Sequence, residues 1–225
     1  MNKILPSELD IISFFDYMYA KYKRYWYPNL DEGQRYSIIL DHSQNWKVLL
    51  RHLSKNTPGL ALDLGAGEGT DAIKLALLGY EVDALEGSAL GAEKIAKFSR
   101  KAGVHINVIH MDVNSFNPTR LYDVVICNGL LHYIDDKQSI LQKILQATSK
   151  DGYCLTSLFS DFTPVPECHK LINVYPENEI GIVQSFFRQW EMLFFQHQNN
   201  RWDLSHPGFP NHQHSFIKIV AKKME

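Results

Sequence analysis

A turn with glycines at three alternate positions, Gly65-Ala66-Gly67-Glu68-Gly69, constrains the fold of this chain more than any other segment. It follows a short apolar run and precedes a helical stretch. Glycine lets the backbone turn tightly and approach a ligand without an intervening Cβ, and the amide groups at the helix start face that ligand. The spacing is neither the G-x-G-x-x-G dinucleotide motif nor a P-loop. Because such glycines also serve tight turns that bind nothing, the surrounding segments must decide between the two interpretations.

Strand-like and helical segments alternate from residue 60 onward, which predicts a mostly parallel sheet with helices on both faces. The predicted strands are LALDL, YEVDALE, VHINVIHM, YDVVICN, GYCLTSLF, EMLFFQHQ and HSFIKIVAKK. The predicted helices follow the turn to about Leu78 and span 88–101, 135–149 and 177–190. The last two strands are joined by a loop too short for a helical crossover, so we expect an antiparallel last strand. The expected class is α/β with a seven-stranded sheet.

Residues 1–57 differ from the rest in their aromatic content, with eight aromatic side chains between Phe14 and Tyr27. Apolar spacing predicts helices around 11–18 and over 32–53. Part of this segment must pack as core. The functional interpretation is an N-terminal helical lid over the 58–225 domain, in which aromatic faces hold a cation or a ligand ring. The candidate contacts are Tyr17, Tyr25 and Tyr27.

Composition excludes several function classes. The chain has 23 basic and 25 acidic residues, hence a net charge of -2, which argues against a protein that coats nucleic acid. Its three cysteines, Cys127, Cys154 and Cys168, lack CxxC spacing and are expected to be reduced thiols of a cytoplasmic protein. No apolar run approaches 18 residues and no signal-peptide core is present, so we expect no membrane association.

Acids end the second and third predicted strands. Glu86 lies 23 positions after Asp63, where an acid suits the two hydroxyls of a ribose; the alternative is an acid that stabilises a helix start. Asp112 follows the third strand, where it can accept from the exocyclic amine of a base; the alternative is an ordinary loop acid.

The combined segments ALDLGAGEGT, LALLGYEVDALEGS, MDV and YDVVICNGLLHYI resemble the class I S-adenosylmethionine-dependent methyltransferases, particularly the small tellurite-resistance type. The resemblance covers about 60–159 and implies a Rossmann-like methyltransferase domain with S-adenosyl-L-methionine as cofactor. Ala66 stands where tellurite-resistance relatives usually carry Cys, and small residues are interchangeable there. The implied cofactor contacts are Asp63, Gly65, Ala66 and Gly67 at the methionine part, Glu86 and Gly87 at the ribose, Asp112 and Val113 at the adenine, and Asn128 at the bottom of the cleft.

The substrate is expected at the carboxyl edge of the sheet. His132 and Tyr133 follow the fourth strand there, and packing or helix capping is the alternative for His132. We expect the loop 198–214 to hang over the same side, with His206 among its residues and His212 and His214 pointing to one face.

These histidines, with Cys168 and His169 in another loop, invite a metal interpretation. No metal is assigned, because no C-x-x-C or H-E-x-x-H motif accompanies them. A histidine-rich loop packed by hydrogen bonds is the structural alternative.

The predicted function is methyl transfer to a small-molecule nucleophile (thiol, hydroxyl, amine or metalloid oxyanion) in a pocket closed by the N-terminal helices and the 198–214 loop. A protic nucleophile needs a base, for which His132, His212 and His214 are candidates, with His206 in support; a soft nucleophile needs none. The absence of an Asn/Asp-Pro-Pro-Tyr run argues against methylation of nucleic-acid amines. The alternatives are a cyclase or lyase, a non-catalytic partner protein that binds the cofactor, and a nicotinamide-dependent oxidoreductase. A monomer or homodimer is expected.

Overall fold

The computed structural model describes residues 9–53, 57–166, 169, 171–174 and 180–225. Within this part of the chain, a seven-stranded sheet runs in the order β3-β2-β1-β4-β5-β7-β6. The strands are β1 Leu60–Leu64, β2 Glu81–Glu86, β3 Asn107–His110, β4 Tyr122–Asn128, β5 Thr148–Ser160, β6 Trp190–Asp203 and β7 His212–Lys223. The first five strands pair in parallel. Because β7 is antiparallel to both of its neighbours, the predicted sheet with an antiparallel last strand is confirmed.

Helices cover both faces of this sheet, as the alternation of apolar residues requires. They are α1 Ile11–Lys21, α2 Glu32–His42, α3 Gln44–Leu53, α4 Thr70–Leu77, α5 Ala89–Lys101, α6 Lys137–Ala147 and α7 Ile180–Phe186. On β1, Ala61 faces the core shared with α3, α4 and α5. Leu62 and Leu64 face the opposite core, shared with α6 and α7. The sheet is thus buried on both sides.

Three predicted helix boundaries were wrong. The 32–53 stretch is two helices, because Ser43 takes an extended conformation, with φ -83° and ψ 113°, between α2 and α3. The 135–149 helix ends at Ala147, where β5 already begins. The 177–190 helix ends at Phe186, and its predicted start lies outside the described residues.

The connection between β6 and β7 is much shorter than predicted. The two strands pair as far as Asp203 opposite His212, so their connection spans 204–211 instead of 198–214. Continued pairing satisfies backbone groups that a long loop would leave to water. As a result, His212 and His214 lie on β7.

Two further expectations concern the cysteines and the membrane. Cys127 and Cys154 are buried free thiols, and Cys168 lies outside the described residues. No helix in the described part of the chain combines the length and apolar character needed to cross a bilayer.

Candidate active site

A cavity of 1020 Å³ lies at the carboxyl ends of β1, β2 and β4, beneath the N-terminal segment. This is the point where the strand order reverses between β1 and β4, the usual ligand position in open α/β sheets. All nine predicted cofactor contacts line this cavity: Asp63, Gly65, Ala66, Gly67, Glu86, Gly87, Asp112, Val113 and Asn128. Their roles at the cofactor stay predictions.

The glycine-rich turn needs glycine for both conformation and space. Gly65 and Gly67 have φ values of 68° and 58°, in the left-handed region where a Cβ is disfavoured. A Cβ on Gly65 would lie 2.8 Å from a methyl carbon of Leu130, and one on Gly67 would lie 3.1 Å from Tyr19 Oη. The turn therefore forms a cradle that side chains would fill.

The Glu86 carboxylate lies at the end of β2, beside this turn. It accepts hydrogen bonds from the backbone N–H groups of Gly67 at 2.7 Å and Ser88 at 2.8 Å. Burial nevertheless raises the pKa of Glu86 to about 7. A ligand that donates hydroxyl hydrogens to this carboxylate would favour its charged form.

A second group of polar side chains lies below the turn. Asp63 is buried, and its Oδ2 has no hydrogen-bond partner among the described residues. Burial, with the nearby Asp71, raises the pKa of Asp63 well above its usual range. Asn128 donates to Asp71 at 2.8 Å and accepts from Ser157 at 2.5 Å. The unpartnered oxygen of Asp63 suits a cationic or hydrogen-donating ligand group.

Asp112 has a local role at the predicted adenine end. Its Oδ1 accepts from the backbone N–H of Asn114 at 2.9 Å, which begins a short 3₁₀ turn. Asp112 is exposed whereas Val113 is buried, so this end offers one polar and one apolar wall.

The other end of the cavity is lined by aromatic and basic side chains, including Tyr27, His132, Tyr133, Arg201 and Lys218. The His132 ring stacks on Phe159, with centroids 3.8 Å apart and an interplanar angle of 11°. Burial lowers the pKa of His132 well below its usual value, so the ring is neutral at neutral pH. Its Nδ1 has no hydrogen-bond partner within the described chain.

Five predicted site residues do not lie in the described lining of this cavity, which is a correction to their expected placement. Tyr17 is 42% exposed, and Tyr25 is buried in the N-terminal aromatic core. His206, His212 and His214 lie close together beside Asp203. The reason is the long β6–β7 pairing, which places His212 and His214 within a strand. The His214 ring stacks on Phe159, with centroids 4.0 Å apart.

Sequence reasoning missed the side chain that fastens the N-terminal segment. Glu68, inside the glycine-rich turn, is buried and accepts from the backbone N–H groups of Tyr25 at 3.0 Å and Trp26 at 2.9 Å. It also accepts from the Lys94 ammonium at 2.8 Å. The signal in the sequence was a charged residue between two glycines of the turn, which indicates a buried carboxylate that needs a partner.

Known proteins resemble this chain in both sequence and fold. A family profile described as a methyltransferase domain matches residues 41–206. The probable S-adenosyl-L-methionine-dependent methyltransferase TehB of Haemophilus influenzae is 24% identical over 171 residues, covering 74% of this chain and 58% of TehB. The ubiquinone biosynthesis O-methyltransferase of Rickettsia canadensis is 28% identical over 96 residues, or 43% of this chain and 41% of that protein. The chain therefore spans between 41% and 58% of the length of these two curated relatives.

Solved structures agree on the fold. The TehB crystal structure superposes with a TM-score of 0.66 at 20% identity, covering 86% of this chain and 67% of TehB. The N-methyltransferase NodS of Bradyrhizobium japonicum, in complex with S-adenosyl-L-homocysteine, gives a TM-score of 0.64 at 14% identity, covering 96% of this chain and 100% of NodS.

The chain belongs to the methyltransferase-domain family. The predicted class of methyltransferase is confirmed at the level of the family. The relative TehB is described as S-adenosyl-L-methionine-dependent, and the NodS structure contains S-adenosyl-L-homocysteine.

Proposed function

We propose that this chain transfers a methyl group from S-adenosylmethionine to a small-molecule nucleophile inside the 1020 Å³ cavity. The observation that carries the proposal is the continuity of this cavity from the glycine-rich turn and Glu86 to His132 and Lys218. Sites for a single small ligand measure about 300–1,000 Å³, so there is room for a nucleoside and a small second molecule. S-adenosylmethionine supplies, when bound, a methyl group on a positively charged sulfur.

The lining fits such a cofactor. Acidic side chains outnumber basic ones around the cavity, which favours a cation. The acids are Asp63, Glu68, Asp71, Glu86, Asp112, Asp135, Asp136 and Asp203, and the bases are Arg201 and Lys218. Gly65 and Gly67 line the cavity without side chains, so ligand atoms can approach their backbone, and the Glu86 carboxylate can accept from ribose hydroxyls.

The N-terminal segment acts as a lid in this proposal. Phe15, Tyr19 and Trp26 lie in the cavity wall, and Phe15 meets the edge of Tyr133 at a centroid distance of 5.3 Å. An apolar cover keeps water away from the reacting atoms and holds the two molecules in line. Glu68 lies in the glycine-rich turn and accepts hydrogen bonds from the backbone of this cover. The lid and the glycine-rich turn are therefore held together by one side chain.

His132 is the proposed base. Of the three predicted candidates, it is the one in the described cavity wall. Its neutral ring can take the proton of a hydroxyl, thiol or neutral amine acceptor as the acceptor's lone pair bonds the methyl carbon and the bond from that carbon to sulfur breaks. Arg201 and Lys218 can balance the charge of an acidic acceptor. The cytoplasmic location and the monomeric or homodimeric state stay predictions from the sequence.

The test is formation of S-adenosylhomocysteine with a panel of thiols, phenols, alcohols, amines and metalloid oxyanions. We expect one acceptor class to give the demethylated cofactor together with an acceptor whose mass has increased by one CH2 unit, because a methyl group has replaced a hydrogen. Consumption of the cofactor without a methylated acceptor would contradict the proposal in favour of a cyclase or lyase. Tight binding with no turnover across the panel would favour a non-catalytic partner protein.

A further inference from the structure

A group of imidazoles and one carboxylate lies behind the substrate end of the cavity. His169 comes from the loop after β5, His206 from the β6–β7 connection, and His212 from the first position of β7. One ligand atom from each of these three lies within 4.8 Å of the other two. Asp203, His212 and His214 form a second such group, which shares His212.

The hydrogen bonds of His212 define which of its nitrogens is available. Its Nδ1 lies 2.7 Å from the carbonyl oxygen of Pro210. Because a carbonyl only accepts, Nδ1 must donate, and the lone pair of the neutral ring is then on Nε2. Metal-binding histidines commonly donate their other ring N–H to a backbone carbonyl in this way.

The spacing around that lone pair suits a metal ion. His212 Nε2 lies 3.0 Å from His169 Nε2, and two nitrogens on a tetrahedral zinc ion at 2.0–2.1 Å are separated by about 3.3 Å. The Asp203 carboxylate adds an oxygen 3.5 Å from His206 Nε2. The other oxygen of that carboxylate, Oδ1, accepts from the backbone N–H and the hydroxyl of Ser205, which fixes its orientation.

Burial gives the group a reason to bind a cation. His169 and His212 are buried, as is His214, and the side chain of Asp203 is 9% exposed. Within the described chain, His206 Nδ1 and His214 Nε2 are buried without a hydrogen-bond partner. An unsatisfied buried nitrogen is costly. A bound ion would use the free lone pair of the His206 ring and would replace the hydrogen bond between the Nε2 atoms of His169 and His212.

We propose that His169, His206 and His212, with the Asp203 carboxylate as fourth ligand, bind one divalent transition-metal ion of the zinc type. Three neutral imidazoles and one carboxylate are typical donors for such an ion. This proposal runs against the sequence-based expectation of no metal, and it does not depend on the proposed methyl transfer.

The ion would join parts of the chain that are distant in sequence. The His206 ring stacks on Tyr25, with centroids 5.2 Å apart, and His169 packs on Phe209 at 4.3 Å. Asp203 is itself in the cavity wall. The ion would therefore fasten the β6–β7 connection and the loop after β5 beneath the N-terminal aromatic core.

The test uses the full chain after removal of metals with a chelator and dialysis, followed by titration with Co²⁺ and then Zn²⁺. We expect one ion per chain by elemental analysis, the visible absorption of four-coordinate cobalt, and its loss when Zn²⁺ displaces it. Bound metal should raise the melting temperature by several degrees, since a ligand of the folded state stabilises it. Wild-type protein without the four-coordinate spectrum and without stoichiometric zinc would overturn the proposal.

Two variants locate the ion. His212→Gln and Asp203→Asn should each weaken zinc binding by at least about tenfold. The control is His105→Gln, at an exposed histidine just after α5, which should leave zinc binding unchanged. Equal loss in His105→Gln, or unchanged binding in folded His212→Gln, would contradict the assigned ligands. Far-ultraviolet circular dichroism and a cooperative thermal transition provide a check that each variant is folded.

Discussion

The end of the cavity that we propose binds the cofactor, here the cofactor end, is built from neighbouring strands. The proposed substrate end is assembled from distant parts of the chain. At the first end, the turn after β1 meets the acid at the end of β2, and backbone N–H groups make most of the contacts. At the second end, the segment after β4, strands β5 and β7 and helix α1 contribute aromatic side chains that contact one another. Backbone geometry therefore specifies one end, and tertiary packing specifies the other.

Gly67→Arg should produce the largest effect and break the cofactor end alone. The substitution adds strain at φ 58° and places a side chain against Tyr19 and Trp26. We expect the dissociation constant for S-adenosylhomocysteine to rise roughly 1,000-fold, or about 4 kcal/mol, from strain and overpacking together. Calorimetric titration measures it. Gly181→Arg is the matched control, because a Cβ there meets nothing within 4 Å; equal affinities for both variants would refute the cradle.

Glu68→Gln should have the next largest effect, because it removes the carboxylate that joins the N-terminal segment to the glycine-rich turn. The amide cannot replace a buried carboxylate that pairs with Lys94 and accepts from the backbone at Tyr25 and Trp26. We expect a loss of about 3 kcal/mol in the free energy of unfolding, seen as a melting temperature lower by roughly 6–12 °C. Glu93→Gln, exposed on α5, should leave the melting temperature unchanged, and a similar drop in that control would contradict the anchoring role.

His132→Asn should affect the substrate end and spare the cofactor end. If His132 removes the proton of the acceptor, kcat should fall about 100-fold. The dissociation constant for S-adenosylhomocysteine should stay within about twofold, because a substitution at one site has little effect on the binding free energy of an independent site. Steady-state kinetics and calorimetry give the two values, with His105→Asn as control. Unchanged kcat with the true acceptor would exclude His132 as the base.

The smallest effect is a pH dependence of cofactor binding near pH 7, the range in which Glu86 titrates. Burial raises its pKa in the free protein to about 7, whereas hydroxyl donors of a bound ribose favour the carboxylate. Binding must then release a proton, so affinity should increase about tenfold from pH 6 to pH 8. Glu86→Gln should remove this dependence. Affinity that increases toward acid pH would contradict the assignment.

The same contrast explains what the sequence could predict. Two short segments, at the ends of the adjacent parallel strands β1 and β2, hold Asp63, Gly65, Gly67 and Glu86. Local sequence patterns were therefore enough to predict that these residues lie together at the cavity. His212 was misplaced because strand ends are not marked locally: the pairing of Asp203 with His212 depends on how far two strands continue together.

Long-range contacts were the other obstacle. Glu68 accepts from backbone groups 42 and 43 positions away, and no periodicity links a turn residue to such partners. The stack of His132, Phe159 and His214 joins β4, β5 and β7 segments, which only the completed sheet order brings together.

The most direct test of the central claim, that this cavity binds S-adenosylmethionine, is calorimetric titration of the wild-type chain at pH 8 with its product S-adenosylhomocysteine and, separately, with NADH. The predicted result is one saturable site per chain for the first ligand and no binding of the second. A folded protein that binds NADH instead, or that gives no heat with either ligand, would contradict it.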